Sequence, residues 1–251
     1  MKKELIYYFC AIVITMLSMA SCENDPFLYQ TNDSVWLSGD PDQRATSDSL
    51  VYSFRLNGKE QQEADLNLII NLTGEASSVD RSFKLEVVEN ETNVSSNCYE
   101  IGTTVLPAGA IKVKVPVKVK RNITDVDLKH ENARLTLRAV NSDELQIGIT
   151  ERNKYTLVWC DYLIQPETWN RTIRNYIGPF SQARYQFIID FTGLTEFEYC
   201  EDDNWVMGFQ ARLIRLLNEY NSNPANANRP EGWPYLNDNG RPLQFGNSLS
   251  Y

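Results

Sequence analysis

The chain has 251 residues, 42% hydrophobic and 23% charged, which suits one large domain or two small ones with a real core. A formal charge of -9 gives a surface that repels phosphate backbones and anionic headgroups, so nucleic acid is excluded as an expected partner.

The first element is a leader over residues 1–21. Lys2 and Lys3 precede an uncharged run from Leu5 to Leu17, which has the length of a signal-peptide core and is too short to span a bilayer as an ordinary helix. Small residues then lead to Cys22 in Met19-Ala20-Ser21-Cys22, the layout of a bacterial lipoprotein signal. In such a signal the cysteine thiol takes a diacylglycerol and the preceding chain is removed, so Cys22 is the expected lipidation site. Attachment then comes from acyl chains, at roughly 0.8 kcal/mol per buried CH₂. Residues 22–32 are short, polar and proline-containing, and read as a tether.

From residue 33 the pattern is that of strands. Ser34 to Leu37 is a first strand. Leu50, Tyr52, Phe54 and Leu56 alternate with their neighbours, as do Leu66, Leu68, Ile70 and Leu72, and then Phe83, Leu85 and Val87. Period two with β-branched and aromatic types marks half-buried strands, and Asn57-Gly58 and Thr73-Gly74 supply turn chemistry. The clearest strand is Ile111 to Lys120. Ile111, Val113, Val115, Val117 and Val119 take one face, and lysines with Pro116 take the other. Slipping its register by one residue would expose the aliphatics and bury ammonium groups. Pro116 cannot donate to a ladder, which predicts an edge position. Arg134 to Ala139 and Lys154 to Leu163 follow. Residues 33–165 therefore read as an antiparallel β-sandwich of about seven strands, immunoglobulin-like in layout.

After Pro166 the periodicity changes. Ser181 to Phe191, stopped at Gly193, is a short helix. Asn204 caps a longer one that buries Val206, Phe209, Leu213, Leu216, Leu217 and Tyr220 and ends at Asn221. Tyr235 to Phe245 reads as a hairpin around Asn239-Gly240. Residues 166–251 are thus a smaller mixed α+β region packed on the sandwich.

No catalytic constellation stands out. His130 is the only histidine, in a charged stretch between strands, and no G-x-S-x-G elbow accompanies it. Cys98, Cys160 and Cys200 lie at no metal-ligand spacing; one disulfide could form, but buried free thiols are the expected state. No phosphate loop or dinucleotide fingerprint is present, so neither metal nor cofactor is implied. Glycoside hydrolysis needs only two carboxylates, and Asp161 and Glu201 are the candidates for it. Trp169, Trp205 and Trp233 fall outside the strands and are candidates for stacking on a ligand.

Several segments together resemble a known group. They are Asp48-Ser49-Leu50-Val51-Tyr52-Ser53-Phe54, Cys98-Tyr99-Glu100 before Leu106-Pro107-Ala108-Gly109, Gly178-Pro179-Phe180-Ser181, Tyr185-Gln186-Phe187-Ile188, and Leu236 to Phe245 around Gly240. The group is a family of Bacteroidetes lipoproteins of unknown function encoded beside SusC/SusD-like outer-membrane transporter pairs. Tyr99 through Gly109 into the next strand is also similar to a Calx-β-type sandwich, although its calcium-binding acidic positions do not line up here. The resemblance implies an outer-membrane, lipid-anchored and surface-facing accessory protein of a glycan- or peptide-uptake system, with the periplasmic face left open. On that basis the expected function is non-enzymatic binding of a ligand or of a SusC/SusD-like partner. The alternatives are an adhesin- or fimbria-like structural subunit and a carboxylate-dependent glycoside hydrolase.

Overall fold

A computed structural model describes residues 33–57 and 60–246; the leader, Cys22, the tether and Gly58 lie outside the described residues. The chain builds a β-sandwich followed by a small helical region. Its elements are β1 (Ser34–Gly39), β2 (Ser49–Ser53), α1 (Phe54–Asn57), β3 (Glu63–Thr73), β4 (Arg81–Ser82), β5 (Lys84–Val87), β6 (Tyr99–Ile101), β7 (Val105–Leu106), β8 (Lys112–Lys120), β9 (Ala133–Val140), β10 (Gln146–Ile147) and β11 (Lys154–Cys160). Helices α2 (Arg171–Tyr176), α3 (Gln182–Thr192) and α4 (Asp203–Ser222) follow. One sheet has the order β10-β1-β3-β8-β6 and the other β2-β11-β9-β5, with β4 and β7 forming a separate ribbon. Most neighbours are antiparallel, but β10 joins β1, and β2 joins β11, in parallel.

The β3–β8 ladder shows how the sequence sets register. Ala64, Leu66, Leu68 and Ile70 stand opposite Val119, Val117, Val115 and Val113, while Glu63 and Asp65 stand opposite Lys120 and Lys118. Apolar pairs thus share the inner face and opposite charges share the outer one, so each face reinforces the same alignment. Leu50, Leu135, Leu137, Leu157 and Trp159 meet them from the other sheet, all fully buried. Trp159 also donates its indole N–H to the Lys120 carbonyl at 3.1 Å, which ties the two sheets together at one end.

Strand β8 is not an edge strand, contrary to the expectation from Pro116, since β3 and β6 flank it. The three-residue β6 pairs only with Val117 to Val119. Just beyond that pairing the Pro116 carbonyl accepts the Gly102 N–H at 2.9 Å, so the missing proline donor faces the place where the ladder ends. Ile111, expected inside, precedes β8 and is 61% exposed. The run through Leu56 also breaks early, because the chain turns into α1 after Ser53. Phe54 then fills the sandwich core, while Leu56 packs on the helical region. Strands β4, β6, β7 and β10, of two or three residues each, are too short to display a period.

In the helical region, Ser181 caps α3 by accepting from the Arg184 N–H, and Gly193 ends it at φ 74°. A left-handed residue at that place favours glycine. Helix α4 is capped by Asp202 rather than Asn204: one Asp202 carboxylate oxygen accepts from the N–H groups of Asn204 (2.9 Å) and Trp205 (3.2 Å). The buried face of α4 is Val206, Phe209, Leu213, Leu217 and Tyr220, with Leu216 only partly covered. The hairpin at Gly240 is a tight turn closed by one bridge between Leu236 and Pro242. The short α2, begun by Asn170, has no counterpart in the sequence reading.

The two ends of the sandwich differ. Ser34, Thr73 and Lys112 meet at one end through the β1–β3 and β3–β8 registers, and Asp33 there pairs with Arg81 at 2.5 Å. Lys120, Glu63, Trp159 and Ser53 meet at the other. Residue 33, where the described chain begins, stands at the first end, and the chain runs into the helical region from the second.

Candidate functional site: a cleft at the far end of the sandwich

A cleft of about 790 Å³ lies where the second end meets the helical region. That volume is within the range of small-molecule sites. Five separate segments form its walls: Arg55 from α1, Lys129 and His130 from the β8–β9 loop, Asp161 to Leu163 after β11, Gln182 and Gln186 from α3, and Glu231 and Tyr235 from the segment after α4.

The seam beneath the cleft is fixed by amides. Gln182 accepts the Leu163 N–H at 2.8 Å and donates to the Leu163 carbonyl at 2.7 Å, so one side chain replaces a strand neighbour. Arg55 donates to the Gln186 carbonyl oxygen at 2.8 Å, and the Gln186 amide donates to Asp190 at 2.8 Å. The Ser53 hydroxyl donates to the Tyr162 carbonyl at 2.5 Å. Both sides of the seam therefore satisfy each other's polar groups.

Several charges in the cleft are already committed. Asp161 is held by Arg121 at 2.6 Å in a pair with little exposure. His130 projects into solvent, and its Nδ1 lies 2.7 Å from Asp127. Others are not: the Lys129 ammonium has no ion-pair partner among the described residues, and the enclosed Glu231 Oε2 has no hydrogen-bond partner there. Tyr162 donates its hydroxyl to Asn132 at 2.8 Å, and burial pushes its phenol above the ordinary value. The Tyr235 phenol is raised further, first by burial and then by the carboxylates of Asp190 and Glu231. Both tyrosines therefore stay neutral donors at physiological pH. Donors, acceptors and ring faces of this mixed kind match a hydroxyl- or amide-bearing ligand better than a strongly charged one.

The residues singled out from sequence are dispersed. Trp169 is corrected from ligand candidate to core: it is 2% exposed, meets Phe180, Tyr185 and Phe197 edge to face, and spends its indole N–H on the Gly178 carbonyl at 3.1 Å. Trp205 is half-buried at the start of α4, and Trp233 is 42% exposed in the turn before Tyr235. Asp161 lines the cleft, but Glu201 is exposed in the turn before α4 and is not among the cleft residues, so the two are not brought together. Cys98, Cys160 and Cys200 are all free thiols. Burial raises the pKa of the first two, which makes them poor nucleophiles. Among the described residues, no helix is long and apolar enough to cross a membrane. The cleft residues Arg55, Lys129, Tyr162 and Glu231 carried no signal in the sequence, and Gln186 and Tyr235 stood there only as parts of a resembling segment and a hairpin, with no sign of a site.

The family model described as a domain of unknown function (DUF4843) matches residues 29–194, well over half of the chain. The chain belongs to this family. The match runs through the sandwich and α3, and residues from 195 onward lie beyond it. No curated protein matches the chain. Among solved structures, the chain is similar to a Bacteroides ovatus protein with a suspected carbohydrate-binding role: 11% identity, TM-score 0.34, covering 51% of this chain and 37% of that one. It is also similar to a two-domain Bacteroides fragilis protein of unknown function, at 15% identity and TM-score 0.36, covering 59% and 49%. A third likeness is to the CBD12 region of CALX1.2, at 15% identity and TM-score 0.29, covering 45% and 41%. The chain thus spans less than half the length of each. At such TM-scores the functional reading rests on the chain's own residues.

Proposed function

We propose that this protein is an outer-membrane lipoprotein, anchored through Cys22, that binds a glycan or peptide in the cleft without catalysis, as an accessory to a SusC/SusD-like uptake system. One observation carries the reading. Residue 33, the first after the expected tether, stands at one end of the sandwich, and the cleft opens at the other. β3 alone has 11 residues, so the sandwich holds the cleft roughly 35 Å from the anchored end. A tether, a stiff spacer and a distal cleft form an arrangement for presenting a binding site away from a membrane. Of the two carboxylates singled out for hydrolysis, Asp161 is paired with Arg121 and Glu201 lies outside the cleft, so that pair is not assembled.

The test combines anchoring and partnership. Cys22→Ser is expected to move the protein from the outer-membrane fraction to the soluble one. Wild-type protein, pulled down from detergent-solubilised outer membrane, is expected to bring a transporter subunit or retain a glycan or peptide. Membrane association unchanged by Cys22→Ser removes the anchor. Absence of both subunit and ligand from the pull-down removes the function.

A further inference from the structure

A second concavity, of about 440 Å³, lies on the helical region away from the cleft, between the segment after α3 and the start of α4. Its aromatic wall is Trp205 with Tyr199. Phe209 stacks on one face of the indole, with ring centroids 5.0 Å apart and planes 19° apart, and the half-buried Trp205 lines the cavity. Tyr199 leans toward Trp205 at 6.0 Å and 50°, and is 52% exposed. A packed indole backed by a second ring is a rigid platform, ordered before any ligand arrives.

The polar residues around it are acceptors and hydroxyls. Glu198 is exposed and has no ion-pair or hydrogen-bond partner among the described residues. Glu196, by contrast, is fixed by an ion pair with Arg44 and by the Thr168 hydroxyl, which donates to it at 2.7 Å. Thr195 completes the rim. No lysine, arginine or histidine lines the cavity. The indole N–H of Trp205 also has no hydrogen-bond partner among the described residues.

We infer that this shelf is a binding site for a neutral sugar ring, which stacks on Trp205 and donates hydroxyl protons to Glu198. The apolar C–H face of a pyranose suits the indole, and a carboxylate accepts from neighbouring hydroxyls with charge-assisted strength. The unpaired Glu198 carboxylate, with no cation among the lining residues to offset it, disfavours an anionic ligand. A peptide strand is also disfavoured, because the walls are a loop and a helix with no free sheet edge to extend. The shelf is independent of the cleft, with which it shares no residue.

The experiment titrates the detergent-solubilised full chain with cello-, manno-, xylo- and malto-oligosaccharides, and with an oligogalacturonide as the anionic comparison. At least one neutral series is expected to bind and the oligogalacturonide is not. Trp205→Ala is expected to lower the affinity about tenfold. Trp205→Phe, which keeps a ring on Phe209, restores most of it, and thermal melting of both variants controls for folding. Val79→Ala, an exposed residue that lines neither cavity, leaves this binding unchanged. Failure of every neutral probe, unchanged affinity in folded Trp205→Ala, or equally tight binding of the oligogalacturonide overturns the site.

Discussion

Aliphatic side chains at every second position build the core of the sandwich, whereas rings packed edge to face build that of the helical region. Leu66, Leu68, Val115, Val117, Leu135 and Leu157 typify the first. Trp169, Tyr185, Phe187, Phe197, Phe209 and Tyr235 typify the second. Aliphatics on a pleated surface fix register through many equivalent contacts. Rings fix position through a few directional ones, and their polar tips must each find a partner, as Trp169 does in Gly178 and Tyr185 in the Thr195 carbonyl at 2.6 Å. The difference teaches where adaptable chemistry sits. The sandwich presents a regular wall, while the irregular region supplies much of the cleft wall and most of the shelf.

The contrast can be broken most forcibly at its aromatic centre. Trp169→Ala removes the ring that three others meet, and is expected to cost about 3–5 kcal/mol in denaturant unfolding. A smaller loss than for Leu66→Ala in the sandwich would show that the rings are not the main support of their region. The seam is next. Asp161→Ala leaves Arg121 enclosed without its carboxylate, at an expected cost of about 3 kcal/mol. A loss no greater than that of an exposed pair would mean that water already reaches Arg121. At the end of α3, Gly193→Ala forces an alanine into the left-handed region and should cost about 1 kcal/mol, read from the thermal midpoint.

The smallest effect distinguishes the outer faces of the sheets by pH. A hydrogen bond from the Lys114 ammonium at 2.5 Å, helped by Asn67, holds the Asp40 carboxyl below its ordinary range. A lowered folded pKa gives stability that is present above the unfolded value and is lost as pH falls through the folded one. Unfolding measured below about pH 4 should therefore weaken more steeply in the wild type than in Asp40→Asn. Parallel curves for the two proteins would remove the linkage.

Legibility follows the same divide. Long period-two runs marked β3 and β8 in the sequence, because alternation over six or more residues has one physical meaning. Gly193 and Ser181 marked α3 for the same reason, since each serves a named terminal group. What the sequence could not mark was anything made by distant segments. The edge reading of Pro116 failed because β6 comes to β8 from a separate loop and stops just short of the proline. Trp169 looked available because nothing local shows that Phe180, Tyr185 and Phe197 will enclose it. The cleft gathers Arg55, Lys129, Tyr162 and Tyr235 from four segments, so no spacing could announce it.

The central claim is that the distal cleft binds a ligand and returns it unchanged. The direct measurement is equilibrium titration of the full chain in a Trp205→Ala background, which removes the shelf, with and without Tyr162→Ala/Lys129→Ala, using oligosaccharide and peptide panels, followed by mass analysis of the recovered ligand. Saturable binding that the double variant weakens about tenfold or more, with intact ligand recovered, is the predicted result. Full affinity in a folded double variant, or ligand recovered cleaved, would contradict the account.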